Sequence, residues 1–297
     1  MPSPGGYQVA LGADDLPALA GLVRRCLGAD GGLPDAASEP FIRRQYLSGP
    51  GRGWHSADGT LIAAGALGDL RNGRRTAAGM VDPAHRGRGT GRSVLDWTIA
   101  TAAGEPLLVE SESVSESARQ LYARYGLREV FAEQVMRADL DDRVLPPARP
   151  GTQQPDLPDD LRLRAWTSKS APDFFAAYSA AFRDRPGFPG WSQADWVAWT
   201  AGDEDFAPGR SLLAAVSGEP AGFVTVAADW IVQLGVVPGW RGRGLGGVLL
   251  AAAMSGARAA GFSRCWLTVG TNNPDAARLY ERAGFAVAGC RARYELG

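Results

Sequence analysis

Two stretches of this chain share a pattern that can hold an anion. Residues 81–91 read Val-Asp-Pro-Ala-His-Arg-Gly-Arg-Gly-Thr-Gly, and residues 236–246 read Val-Val-Pro-Gly-Trp-Arg-Gly-Arg-Gly-Leu-Gly. Glycine has no side chain, so backbone N–H groups can approach a ligand closely there. A helix starting just beyond the loop adds unpaired donors and partial positive charge. Arg86 and Arg88, and Arg241 and Arg243, add forked cations suited to phosphate oxygens. A diphosphate is the natural guest. A single such stretch also reads as a glycine-rich surface turn, but two copies in register weaken that reading. A dinucleotide fold places Gly-x-Gly-x-x-Gly directly after the strand. Here Pro238-Gly239-Trp240-Arg241 intervenes and the last glycines are Gly244-x-Gly246.

The elements that must position these loops repeat as well. Arg86 matches Arg241 at an offset of 155, and the register continues from Val94, Leu95, Thr98, Ile99 and Ala102 to Leu249, Leu250, Ala253, Met254 and Ala257. Both sets follow one helix face. Ser115–Leu127 then matches Asn273–Phe285 at an offset of 158. We read an internal duplication of about 140 residues. The spacing predicts helices around Asp14–Leu27, Pro40–Leu47, Ala171–Phe182 and Ser192–Ala201. It predicts hairpins turning at Asp58-Gly59 and Gly218-Glu219. Strands follow at Leu61–Leu67 and Arg75–Val81, and at Ala221–Ala227 and Trp230–Val237. Each half then runs loop, helix, short strand (Leu107–Val109; Trp266–Val269), helix and closing strand (Val130–Ala138; Ala286–Tyr294). The expected class is α+β with a mixed, mostly antiparallel sheet flanked by helices. The expected domains are 1–140 and 161–297, joined by a proline-rich linker, 141–160.

The strand ending at Pro238, followed by Arg241-x-x-Gly244-x-Gly246, resembles motif A of the GNAT acyltransferase superfamily. Asn273-x-x-Ala276-x-x-Leu279-Tyr280-x-x-x-Gly284-Phe285 is similar to that superfamily's downstream pattern. The first copy keeps Ala118, Leu121, Tyr122 and Gly126 but has Ser115 for the asparagine and Leu127 for the phenylalanine. The tandem layout resembles that of the mycothiol synthases, and the acceptor region resembles theirs only loosely. The resemblance implies two tandem GNAT-like domains and a coenzyme A thioester. Leu234, Gly235 and Val236 would pair with the pantetheine arm. Arg241, Gly242, Arg243, Gly244, Leu245, Gly246 and Gly247 would wrap the pyrophosphate. In the first copy the matching positions are Gly79, Met80 and Val81, then Arg86, Gly87, Arg88, Gly89, Thr90, Gly91 and Arg92. Asn273 would fix the pantetheine, and its residues alone also read as a helix N-cap before Pro274. Tyr280 would protonate the leaving thiolate, and alone it reads equally as a packed helix aromatic.

The implied reaction moves an acyl group, acetyl from acetyl-CoA first of all, to a primary amine of a small molecule. Backbone N–H groups stabilise the oxyanion and a base takes the amine proton. His55 and His85 are the only histidines, so a carboxylate is the expected base. Asp229 is the first choice, with Glu204 and Asp205 as alternatives. The first copy offers only Asp69 nearby. The second half is therefore expected to be catalytic, and the first to bind coenzyme A without turnover or to act as scaffold. Alternatives are an acyltransferase that takes its thioester from the phosphopantetheine of an acyl carrier protein, mycothiol synthesis, and a non-catalytic coenzyme A-binding regulatory module.

Composition narrows the rest. Lys+Arg number 31, and Lys169 is the one lysine. A Walker loop, a kinase and a pyridoxal enzyme would each have to use it, and its Ser168-Lys169-Ser170 setting suits none. Net charge is −1, which gives no overall nucleic-acid footprint. Three scattered cysteines and two histidines argue against a disulfide framework and against a metal site. The expected setting is cytoplasmic, away from membranes, as a monomer or homodimer.

Overall fold

The computed structural model describes residues 6–140, 157–185 and 188–296. The expected linker thus lies, up to residue 156, outside the described residues. The first half runs β1 (Tyr7–Ala10), α1 (Leu16–Asp30), α2 (Glu39–Tyr46), β2 (Gly51–His55), β3 (Leu61–Arg71), β4 (Arg74–Val81), α3 (Thr90–Thr101), β5 (Leu107–Ser111), α4 (Glu116–Arg124) and β6 (Arg128–Asp139). The second half follows the same order with β7 (Arg162–Ala165), α5 (Ala171–Phe182), α6 (Gln193–Ala201), β8 (Leu212–Val216), β9 (Glu219–Ala227), β10 (Trp230–Val236), α7 (Leu245–Ala259), β11 (Arg264–Gly270), α8 (Pro274–Arg282) and β12 (Ala286–Leu296). The short opening strands β1 and β7 carry no buried residue, which is why no hydrophobic alternation marks them in the sequence.

The chain forms two compact units. The first gathers the described residues of Met1–Val135, Gly270–Asn272 and Val287–Gly297. In it β1, β2, β3 and β4 pair antiparallel in order, and β5 lies parallel to β4. The sequence points to a second half that closes on its own last strand. Instead β12 pairs antiparallel with β5, from Ala292 opposite Ser111 to Leu296 opposite Leu107. The cause is packing and charge together. Ala292 and Tyr294 are buried among Leu107, Val109 and Tyr122, and Arg293 on the same strand pairs with Glu110 and Glu112. On the sheet's other side, Leu19, Leu22 and Ile42 of α1 and α2 pack on Leu61, Ala64 and Ala78.

The second unit gathers the described residues of Met136–Val269 and Asn273–Ala286. It takes in residues 136–139 of β6, where Met136 and Ala138 are buried in its core. Strands β7 to β10 pair antiparallel in order, and β11 is parallel to β10. Phe174, Trp196 and Phe223 fill the side under α5 and α6. Leu249, Leu250, Val224, Leu267 and Phe285 fill the side under α7 and α8. No helix among the described residues is long and apolar enough to cross a membrane.

The cores hold ionisable groups in neutral form. Burial pushes Tyr122 and Tyr280 up to about 12, Cys265 up to about 12 and Cys26 up to about 11. A group raised by folding ionises first in the unfolded chain. Its stabilisation is complete below the ordinary values of 9.0 for a thiol and 10.0 for a phenol, and is lost as pH rises through the folded values. Melting temperature should therefore fall steadily from about pH 9 to 12. Calorimetry across that range checks this, and a flat profile to pH 12 contradicts it.

Candidate active sites in the two units

The strands split where the loops begin. In unit 1 the parallel pairing of β4 with β5 runs from Arg75 opposite Leu107 to Ala77 opposite Val109. Beyond it Gly79, Met80 and Val81 continue without a β5 partner. In unit 2 the pairing of β10 with β11 is confined to Trp230 opposite Trp266, so Leu234, Gly235 and Val236 lie past the split. Strand edges left open in this way can pair with an extended ligand.

Each strand then enters a 3-10 turn, Pro83–His85 or Pro238–Trp240, and the glycine loop. The backbone follows one path in both copies. Gly87 and Gly89 have φ of 74° and 89°, and Gly242 and Gly244 have 76° and 90°. Only glycine takes this left-handed region freely. A Cβ at Gly242 would meet nothing within 4 Å, so its constraint is conformational and not steric. Gly242→Ala should cost about 1–2 kcal/mol, while Gly239→Ala, also unobstructed and without a positive φ, should be silent. Thermal unfolding of the pair is the check. The third glycine has a different purpose. A Cβ at Gly91 would lie 3.3 Å from Leu121, and one at Gly246 3.2 Å from Leu279. Bare backbone here brings the loop helix against the helix that carries the next residue, Tyr122 or Tyr280.

The two arginines of each loop divide their work. Nε of Arg86 donates to Val81 O at 3.1 Å, and its other nitrogens clamp the Asp30 carboxylate. Nε of Arg241 donates to Val236 O, also at 3.1 Å, and Nη2 to Ala181 O at 2.8 Å. Both guanidiniums thus staple the loop to its own strand, where the sequence suggests free phosphate ligands. Arg88, Arg92 and Arg243 are exposed, with Arg243 stacked 5.0 Å over the Trp240 ring. Thr90 and Leu245 open α3 and α7, whose first-turn N–H groups lack partners within the helix. Gly247 N–H is the exception, donating to Gly244 O at 3.0 Å.

Tyr280 sits in the unit 2 core, 7% exposed, its ring 6.0 Å from that of Phe285. Tyr122 is also 7% exposed and packs 4.7 Å from Tyr294. Asn273 caps α8, its Oδ1 accepting from Ala276 N–H at 3.2 Å, and Ser115 caps α4 in the same way. Asp229 lies in the turn between β9 and β10, beside Ala228 with φ of 43°. Burial holds its carboxyl above the usual range, against the pull of its own N–H and of Arg264 and Arg210. It is at the paired end of the split, where its backbone oxygen accepts from Trp266 N–H, and its described partners do not include Tyr280. Asp205 braces the same turn through its own carbonyl, which accepts from Ala228 N–H at 2.8 Å.

Two described cavities matter. One in unit 1, of about 660 Å³, runs from the Arg86–Arg92 loop through the split to Tyr122 and on to Phe41, Gln45 and Tyr46 of α2. Glu112 and Cys26 also line it, and no motif in the sequence singles them out. The other, in unit 2, of about 400 Å³, is walled by Trp199, Phe206 and Val232. Thr200 and Thr225 line it too, and both of their hydroxyls are buried without hydrogen-bond partners.

These features have relatives. The acetyltransferase (GNAT) family matches residues 159–285. The mycothiol acetyltransferase of Clavibacter michiganensis subsp. michiganensis is 34% identical over 80% of this chain and 77% of its own. That of Salinispora tropica is 31% identical over 82% and 80%. The chain belongs to the GNAT acetyltransferase family. Among solved structures, a GCN5-related N-acetyltransferase from Sphaerobacter thermophilus superposes with a TM-score of 0.75 at 25% identity, over 99% of this chain and 96% of that one. A tandem GNAT protein from the clavulanic acid biosynthesis pathway shares the fold, with a TM-score of 0.60 at 17% identity over 98% and 97%. This GNAT protein is therefore an acyltransferase built as a tandem, and its family uses acetyl-CoA.

Proposed function

We propose that this GNAT protein moves acetyl from acetyl-CoA to the primary amine of a small molecule, with unit 2 carrying the transfer. The observation that carries the reading is the repetition in both units of one loop path, one helix contact and one buried tyrosine. The pyrophosphate lies on the N–H groups of Gly242–Gly246, with the exposed Arg243 able to reach it. The pantetheine pairs along Leu234–Val236. Tyr280 gives its proton to the leaving thiolate, Asn273 orders α8 beneath it, and Asp229 is the candidate base at the far end of β10. The acceptor enters the cavity of Trp199 and Phe206, where the hydroxyls of Thr200 and Thr225 find partners on it.

Unit 1 fits a second coenzyme A. Its loop and open β4 edge repeat those of unit 2, and the cavity along them is large enough for a thioester arm. A phosphopantetheine arm presented by an acyl carrier protein would use the same split without the loop. The names of the relatives add the amine precursor of mycothiol as an acceptor to try. The test is mass spectrometry of reactions with acetyl-CoA and a panel of amines that includes the cysteinyl pseudodisaccharide of mycothiol biosynthesis. One added acetyl group on an amine supports the reading, and unmodified amines throughout refute it.

A further inference from the structure

The cavity of unit 1 holds more than a cradle for a cofactor. Past the split it reaches a chamber lined by Val23, Cys26, Leu27, Phe41, Gln45 and Tyr46. Tyr122, at the position matching Tyr280, lines the same cavity. So does Glu112, 8% exposed. Arg293 holds Oε1 of that carboxylate. Oε2 is buried without a hydrogen-bond partner, with Arg291 at 3.5 Å. A buried carboxylate oxygen with an open hydrogen-bonding position calls for a donor. Glu112, Tyr122, Cys26 and Tyr46 all line this one cavity, and burial first, then charge on the other three, pushes the Tyr46 phenol up. At the offset of 158 the second copy has Gly270 in place of Glu112, so this acid belongs to unit 1 alone.

We propose that unit 1 is a second acyl-transfer centre, in which Tyr122 is the acid and Glu112 receives a small, largely apolar primary amine. The inference rests on the acyl-CoA reading of the loops and departs from the expectation that this half is a silent copy. The neutral amine nitrogen donates to Glu112 Oε2 and attacks the thioester carbonyl carbon. The C–N bond forms and the C–S bond breaks. The departing thiolate takes the Tyr122 phenol proton, and the surplus N–H proton passes to Glu112. Solvent then returns a proton to the tyrosinate and removes one from Glu112. The products are an N-acyl amine and free coenzyme A. The apolar walls of Phe41, Leu27 and Val23 suit an acceptor with an alkyl or aryl body.

Full-length wild type, Tyr280→Phe, Tyr122→Phe and the double variant decide it. Each is given acetyl-CoA with butylamine, benzylamine or phenethylamine, and thiol release and N-acetyl product are followed. Tyr280→Phe should keep amine-dependent release with at least one of them, and adding Tyr122→Phe should cut that remainder by about 100-fold or more. Glu112→Gln, introduced with Tyr280→Phe, should lower the remaining kcat, raise the amine KM and leave coenzyme A binding unchanged. Equal release by Tyr280→Phe and the double variant for every amine overturns the second centre. Release lost in Tyr122→Phe and kept in Tyr280→Phe upholds it and removes Tyr280 as the acid of unit 2. No amine-dependent release by any of the proteins overturns both.

Discussion

Tyr280→Phe should lower kcat of the unit 2 reaction by about 10²–10⁴ while acetyl-CoA still binds. The substitution removes one hydroxyl and keeps a ring that is packed against Phe285, so the fold has little to lose. The chemistry has much to lose, because a thiolate that leaves without a proton is the poorer product of the collapsing intermediate. Isothermal titration separates binding from turnover, and unchanged turnover with the preferred amine removes Tyr280 from the reaction. The pH profile gives a second check. Burial pushes this phenol from 10.0 up to about 12, and the acid role needs the protonated form. The alkaline fall in rate due to Tyr280 therefore belongs near pH 12. A rate that collapses near pH 10 for loss of this proton contradicts the burial seen here.

Ending the chain after residue 286 should unfold unit 1, although every residue removed follows unit 2 in sequence. The deletion takes away the antiparallel partner of β5, the buried side chains Ala292 and Tyr294, and Arg291 and Arg293, which pair with Glu112. Tyr294→Ala is the milder form. Truncating a buried aromatic costs about 3–5 kcal/mol, a large share of the roughly 5–15 kcal/mol that holds a domain together. Hydrogen exchange at the amides of β5 reports the damage where it occurs. Protection of residues 107–111 equal to that of the intact protein refutes the role given to β12.

Much of this was legible in the residues. The loops, the helices after them and the two tyrosines announce themselves because each depends on local chemistry. A glycine is needed where φ is near 90°, an asparagine or serine where a helix starts, an apolar face where it packs. The path of β12 was not legible. Alternation along Ala286–Leu296 marks a strand, but it cannot say which edge the strand joins, since that depends on Leu107 and Val109 far back in the chain. Arg86 was legible only in part, because Asp30, its partner, lies 56 residues earlier. Glu112 follows a five-residue strand and fits no motif, so only the cavity shows it.

The route of β12 also sets an order of events during synthesis. The ribosome finishes Met1–Val135 long before it makes Val287–Gly297, and at about 5–20 residues per second the gap is roughly 10–30 s. Through that interval the β5 edge has no partner, and Glu112 lacks both of its arginines, Arg291 and Arg293. The half made first is thus the half completed last. A nascent chain halted after β11 should carry an open sheet edge that a chaperone can hold, and it is the final strand that retires it.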